Sequence, residues 1–167
     1  MSAAPEGVDP IAADERAQRL VGTVHGTIVS ASVFAISGGV ESLTPLEAGA
    51  YVMSTVLVFW LAHAWGHVLG FRAAGHPEHG AVECLKDQFP IVEAAGPPLA
   101  ALAIAGALGS SDENAINIAM AVCVGQLGLL GAGVAHREGL PPHRVAITAA
   151  GCAALGLVMV ALKAIVH

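Results

Sequence analysis

LEAGAYVMSTVLVFWLAHAWGHVLGF, residues 46–71, decides the fold class. From Ala48 to Phe71 it contains no Asp, Glu, Lys or Arg. A run of about 18 or more such residues is long enough, as a helix, to cross the ~30 Å hydrocarbon core of a bilayer. Its two histidines, His63 and His67, are the exception to an otherwise apolar run. The same criterion picks out Leu20–Gly38, Ile91–Gly109, Ala115–Ala135 and Val145–Val166. The expected fold is therefore all-α, an integral membrane bundle of about five transmembrane helices.

Composition points the same way. Of 167 residues, 55% are hydrophobic and 12% charged, against about 25% charged in ordinary soluble domains. Five spans occupy residues 20–167 as one transmembrane domain and leave no length for a second, water-soluble one. Residues 1–19 read as a cytoplasmic N-terminal arm ending in a surface helix turn. Glu6, Asp9, Asp14 and Glu15 in that arm, and His25 beyond it, argue against a cleavable signal peptide. The net charge of −6 provides no basic footprint for nucleic acid. Cys84, Cys123 and Cys152 are odd in number, and two lie within spans, so no disulfide framework is implied. The partner implied is the lipid bilayer.

Loop charges set an orientation. Arg16 and Arg19 precede span 1, Arg72 and Lys86 follow span 2, and Arg137 and Arg144 follow span 4. The loops after spans 1 and 3 carry Glu41, Asp112 and Glu113 and no basic residue. The positive-inside rule then places the N-terminus in the cytoplasm and the C-terminus outside, in a bacterial inner membrane. Lys163, near the end of span 5, is read as reaching the outer interface with its long stem.

Span 3 holds Pro97-Pro98 at its middle. Proline has no N–H and clashes one turn back, so the carbonyls of Glu93 and Ala94 lose their helical donors. Lipid cannot replace those donors. A Pro-kinked helix buried against its neighbours is preferred over a re-entrant segment. Gly80–Phe89 is read as a helix at the cytoplasmic interface, with continuity into span 3 as the alternative.

Small residues recur every fourth position: Gly22, Gly26 and Ser30, then Ala62, Gly66 and Gly70, then Gly128 and Ala132. Such stripes let helix backbones approach closely in lipid. Packing within one bundle is the first expectation, and a homo-oligomer through these faces is the alternative.

Ionisable groups inside spans point to function by default. His25, His63 and His67 lie roughly 6–12 Å inside the cytoplasmic ends of spans 1 and 2, counting 1.5 Å per residue. Glu93 starts span 3 from the same side, and Gln126 lies near the middle of span 4. His63 and His67, four apart, share one helix face. Three uses compete with plain hydrogen-bonded packing. The cluster of His25, His63, His67, Glu93 and Gln126 can serve a channel or transporter for protons, cations or a small polar solute. His25, His63 and His67 are also the candidates for a metal or haem with a redox role, imidazole being a common ligand. The third is a structural or partner-binding protein without transport. No cofactor is expected. The spacing His63-x-x-x-His67 lacks the glutamate of a zinc hydrolase helix, and no nucleophile constellation is present, so enzyme chemistry is not expected. His76-Pro77-Glu78-His79 matches no compact zinc pattern and reads as a solvated loop.

VFWLAHAWGHVLG (58–70), DQFPIVEAAGPPLAALA (87–103) and the closing GLVMVALKAIVH (156–167), taken in order, resemble a family of small multi-pass membrane proteins from high-GC actinobacteria. The likeness runs from Glu15 to the end. It implies integral-membrane location and no particular activity.

Overall fold

The structure is a computed structural model and describes residues 10–37, 43–75 and 80–166. Glu41 and the His76–His79 loop lie outside the described residues, as does the side chain of Lys163. Among the described residues seven helices follow one another: α1 (Pro10–Ser37), α2 (Pro45–Ala73), α3 (Ala81–Asp87), α4 (Pro90–Glu93), α5 (Gly96–Ala107), α6 (Asp112–Arg137) and α7 (Pro142–Val166). No strand occurs among the described residues. α1 is central and packs against α2, α4, α6 and α7, while α6 lies between α5 and α7. Among the described residues four segments are long and apolar enough to cross a membrane: Asp14–Ser37, Pro45–Ala73, Ala81–Ala107 and Asp112–Arg137. In α7 the apolar part with described side chains, Pro142–Val158, is shorter.

Local chemistry sets the helix ends. Thr44 opens α2 with a capping box: Glu47 N–H donates to Thr44 Oγ1 at 3.3 Å, and Thr44 N–H to Glu47 Oε2 at 2.9 Å. The Ser111 hydroxyl accepts from Asn114 N–H at the start of α6. Gly109 and Gly139 end α5 and α6 with positive φ, a conformation that costs a residue with a Cβ. Each lets the following N–H reach back to a carbonyl, Ser110 to Ala105 and Leu140 to Ala135, as in a Schellman cap.

Two helix starts differ from the boundaries read in the sequence. The apolar segment that contains Ile91–Gly109 starts at Ala81, because α3, α4 and α5 run on as one segment packed against α2, as in the continuous reading of Gly80–Phe89. Trp60 Nε1 donates to Leu85 O at 3.0 Å and its ring meets Phe89 edge-on, which ties α3 to α2. The helix α1 also starts at Pro10, so residues 10–19 continue span 1 rather than forming a single turn.

The Pro-broken third span was expected and is found. The chain stays in right-handed helical conformation through Ala94 and Ala95, with Pro97 and Pro98 in the first turn of α5. Proline is tolerated there because those N–H groups have no helical acceptor.

Close packing is unevenly distributed over the small-residue stripes. A Cβ built on Gly22 would lie 3.3 Å from Pro90 Cβ. One on Gly26 would overlap the carbonyl oxygen of Ile91 and come within 2.9 Å of Ala94 Cβ. On α6 the close approach to α7 is at Gly131, whose added Cβ would come within 2.7 Å of Cys152 Sγ, while one on Gly128 would make ordinary contact with Ala153. Gly66 and Gly70 face open space. Packing within the bundle explains the stripe of α1, but not that of α2. The core of the bundle is apolar, with Phe34, Val52, Val56, Ile91 and Ile116 buried together.

Candidate functional site

Four ring residues recur every fourth position along α2: Phe59, His63, His67 and Phe71. Residues four apart share a helix face, so these rings form a column facing α1. His25 of α1 enters it from the opposite side. Its ring centroid is 5.5 Å from that of His63 and 6.3 Å from that of Phe59. His63 stacks on Phe59 at 5.6 Å and meets His67 at 5.5 Å. Phe71 closes the far end of the column, its ring centroid 6.3 Å from that of His67. The three histidines form a row with His63 in the middle.

His25 is oriented from within its own helix. Its Nδ1 lies 3.0 Å from Val21 O. A carbonyl only accepts, so Nδ1 carries the proton and Nε2 is left to face other partners. All three imidazoles are half-buried. Beside them an open cavity of about 540 Å³ runs along α2, lined by His63, His67 and Phe71 with Ala62, Gly66, Gly70 and Ala74. The small residues of α2 therefore make room beside the histidines.

Glu93 is placed differently. Gly22 and Gly26 pack against residues 90–94, which sets His25 level with Glu93 in the bundle. Yet the Glu93 side chain is exposed, on the thirteenth of the 27 residues of Ala81–Ala107. Among the described residues it makes no ring contact, hydrogen bond or ion pair with the histidines. The structure thus brings His25, His63 and His67 together and leaves Glu93 outside their row.

Gln126 sits elsewhere again. From the middle of α6 its Nε2 donates to Ala94 O at 3.2 Å. That is one of the two carbonyls deprived of a donor by Pro97 and Pro98. Sequence reading found the orphaned carbonyl and the glutamine separately, and missed that one serves the other. Only the packing of α6 on α5 brings them together.

Among the described residues no three His, Cys, Asp or Glu side chains converge closely enough to hold one metal ion. The imidazoles are arranged end to end rather than around a point. Chemically, the row offers donors and acceptors in series. No protein-family model matches the chain, and neither does any curated protein or solved structure.

Proposed function

We propose that the protein binds protons on the His25–His63–His67 row and passes them part-way across a bacterial inner membrane. The observation that carries this reading is the spacing of the row, with two steps of 5.5 Å between ring centroids inside apolar helices. Imidazole is the side chain that takes up and releases protons near neutral pH, and each ring presents a donor and an acceptor. A single water bridges rings at this spacing. The open cavity along α2, which His63 and His67 line, offers room for such water beside both rings. The orientation proposed is N-terminus inside and C-terminus outside, from the basic residues that gather at one end of the bundle.

Proteoliposomes loaded with a pH-sensitive dye test the proton reading between pH 5.5 and 8, a window around the ordinary histidine pKa of about 6.5. The wild type is expected to dissipate a pH step faster than empty liposomes. Equal rates would leave a structural or partner-binding membrane protein as the better account. The haem or metal reading has its own measurement, since two imidazoles on facing helices are a ligand pair. Purified protein is expected to be colourless, without stoichiometric metal by elemental analysis. An intense absorption near the blue edge, lost in His63→Ala, would replace the proton reading with a cofactor.

Orientation is tested with reporters fused after His167. A reporter that is active only outside the cytoplasm is expected to work there, and one active only in the cytoplasm is expected to be silent. The reverse pattern would remove α7 from the spanning helices.

A further inference from the structure

The face of α2 beside the histidine row is left uncovered. Among the described residues Pro45–Ala73 is the least buried of the four long apolar segments. Trp65 and Leu69, next in the chain to Gly66 and Gly70, are exposed. A Cβ on either glycine would meet nothing within 4 Å. These two glycines, with Ala62 and Ala74, floor the open cavity of about 540 Å³, which His63, His67 and Phe71 also line. Small-molecule sites are concavities of about 300–1,000 Å³, largely apolar, with a few placed polar groups.

The two imidazoles supply those polar groups. His25 has Val21 O as its partner, but among the described residues neither His63 nor His67 makes a hydrogen bond. Their nitrogens are not buried. Hydrocarbon cannot satisfy them. An acyl chain would fill the groove and leave both rings unpaired. The fitting ligand is therefore apolar enough to arrive from the bilayer and carries two hydrogen-bonding groups at the spacing of the rings, whose centroids are 5.5 Å apart. A para-quinone meets these terms. Its two oxygens stand at opposite ends of a flat six-membered ring, a separation close to one helical turn of about 5.4 Å. The lone pairs of each carbonyl lie in the ring plane, oblique to the C=O bond. A ring lying lengthwise over the glycines thus turns one lone pair of each oxygen toward a histidine. An imidazole donates from one nitrogen and accepts at the other, so the same pair serves quinone and quinol alike.

We propose that a lipid-soluble para-quinone binds in this groove over Gly66 and Gly70, with its two oxygens on His63 and His67. The proposal rests on the reading of the row as proton-exchanging histidines and gives that row a ligand. Binding is measured without proton flux, so either reading can fail alone.

The test uses the purified full-length protein in detergent, titrated with a short-tailed benzoquinone. The control is the same tail on a benzene ring without oxygens. Trp65 adjoins Gly66, so the bound quinone is expected to quench tryptophan fluorescence to saturation. It is also expected to raise the thermal transition, as a ligand of the folded state does, whereas the oxygen-free control does neither. Gly66→Leu is expected to fold, because the glycine faces open space, and to lose both effects by filling the groove. His67→Ala is expected to weaken binding about tenfold, the loss of one hydrogen bond. Neither saturable quenching nor a raised transition with the quinone would overturn the site. So would equal effects of the oxygen-free control, or effects undiminished in Gly66→Leu. A wild-type dimer that Gly66→Leu turns into a monomer, with no effect of quinone on either, would assign the groove to a second copy of the chain. Saturable binding with proton flux equal to that of empty liposomes would keep this site and remove the proton reading.

Discussion

Gly26→Ala is expected to destabilise the protein by about 1–3 kcal/mol, the usual cost of forcing extra volume into a packed interior. Gly26→Leu is expected to prevent the native packing of span 3 altogether. The added Cβ would overlap the Ile91 carbonyl oxygen, and Ala94 Cβ stands close behind it. A backbone carbonyl cannot swing aside as the end of a flexible side chain can. α4 would have to leave α1, and Ile91, buried between them, would go with it. Gly66→Ala is the control, since its Cβ meets nothing within 4 Å. There the higher helix propensity of alanine, worth up to about 1 kcal/mol, should leave stability unchanged or slightly raised. Unfolding of the three variants in detergent, followed by circular dichroism, checks the contrast. Equal transitions for Gly26→Ala and Gly66→Ala would mean that α1 and α4 do not pack as described.

His63→Ala is expected to remove most of the proton flux while the protein still folds and inserts. His63 is the middle ring and the one in contact with both His25 and His67. Without it the two outer rings are separated by roughly twice the single step, too far for one bridging water at hydrogen-bond distances. The drop should be at least about a hundredfold, at the lower end of what losing a positioned acid–base group costs. His67→Ala should cost less if water in the open cavity reaches His63 directly. Proteoliposome flux at matched protein incorporation measures both. Wild-type flux retained in His63→Ala would separate the row from the transport step, and a flux lost equally in Phe59→Leu would mark the effect as one of packing.

Much of the fold was legible because membrane physics leaves few choices. A lipid interior demands long helices with internally satisfied backbones, so apolar runs identified the long helices themselves, although α1 starts at Pro10 and not at Leu20. The start of the third apolar segment was left between two readings for the converse reason. Glu83, Lys86 and Asp87 read as an interface, yet Trp60 and Phe89 hold that stretch against α2 as one segment with α4 and α5. Side-chain contacts outweighed local polarity there.

The small-residue stripes looked alike in sequence and differ in use. Gly26 is an unavoidable contact, whereas Gly66 borders a cavity. Spacing four describes a helix face, but the neighbour that face meets depends on how the helices cross.

Helicity, the placing of the polar groups along each helix, and the proline break were determined by the sequence itself, because each follows from distances along one helix or from a missing N–H. The grouping of those polar residues was decided only by tertiary packing. His25 joins His63 because α1 crosses α2 at that level, Gln126 meets Ala94 because α6 lies against the broken span, and Glu93 turns outward because Ile91, Ala94 and Ala95 occupy the buried side of the same short helix. A residue's rotation about its helix relative to a neighbour depends on crossing geometry, which periodicity within a single segment does not encode.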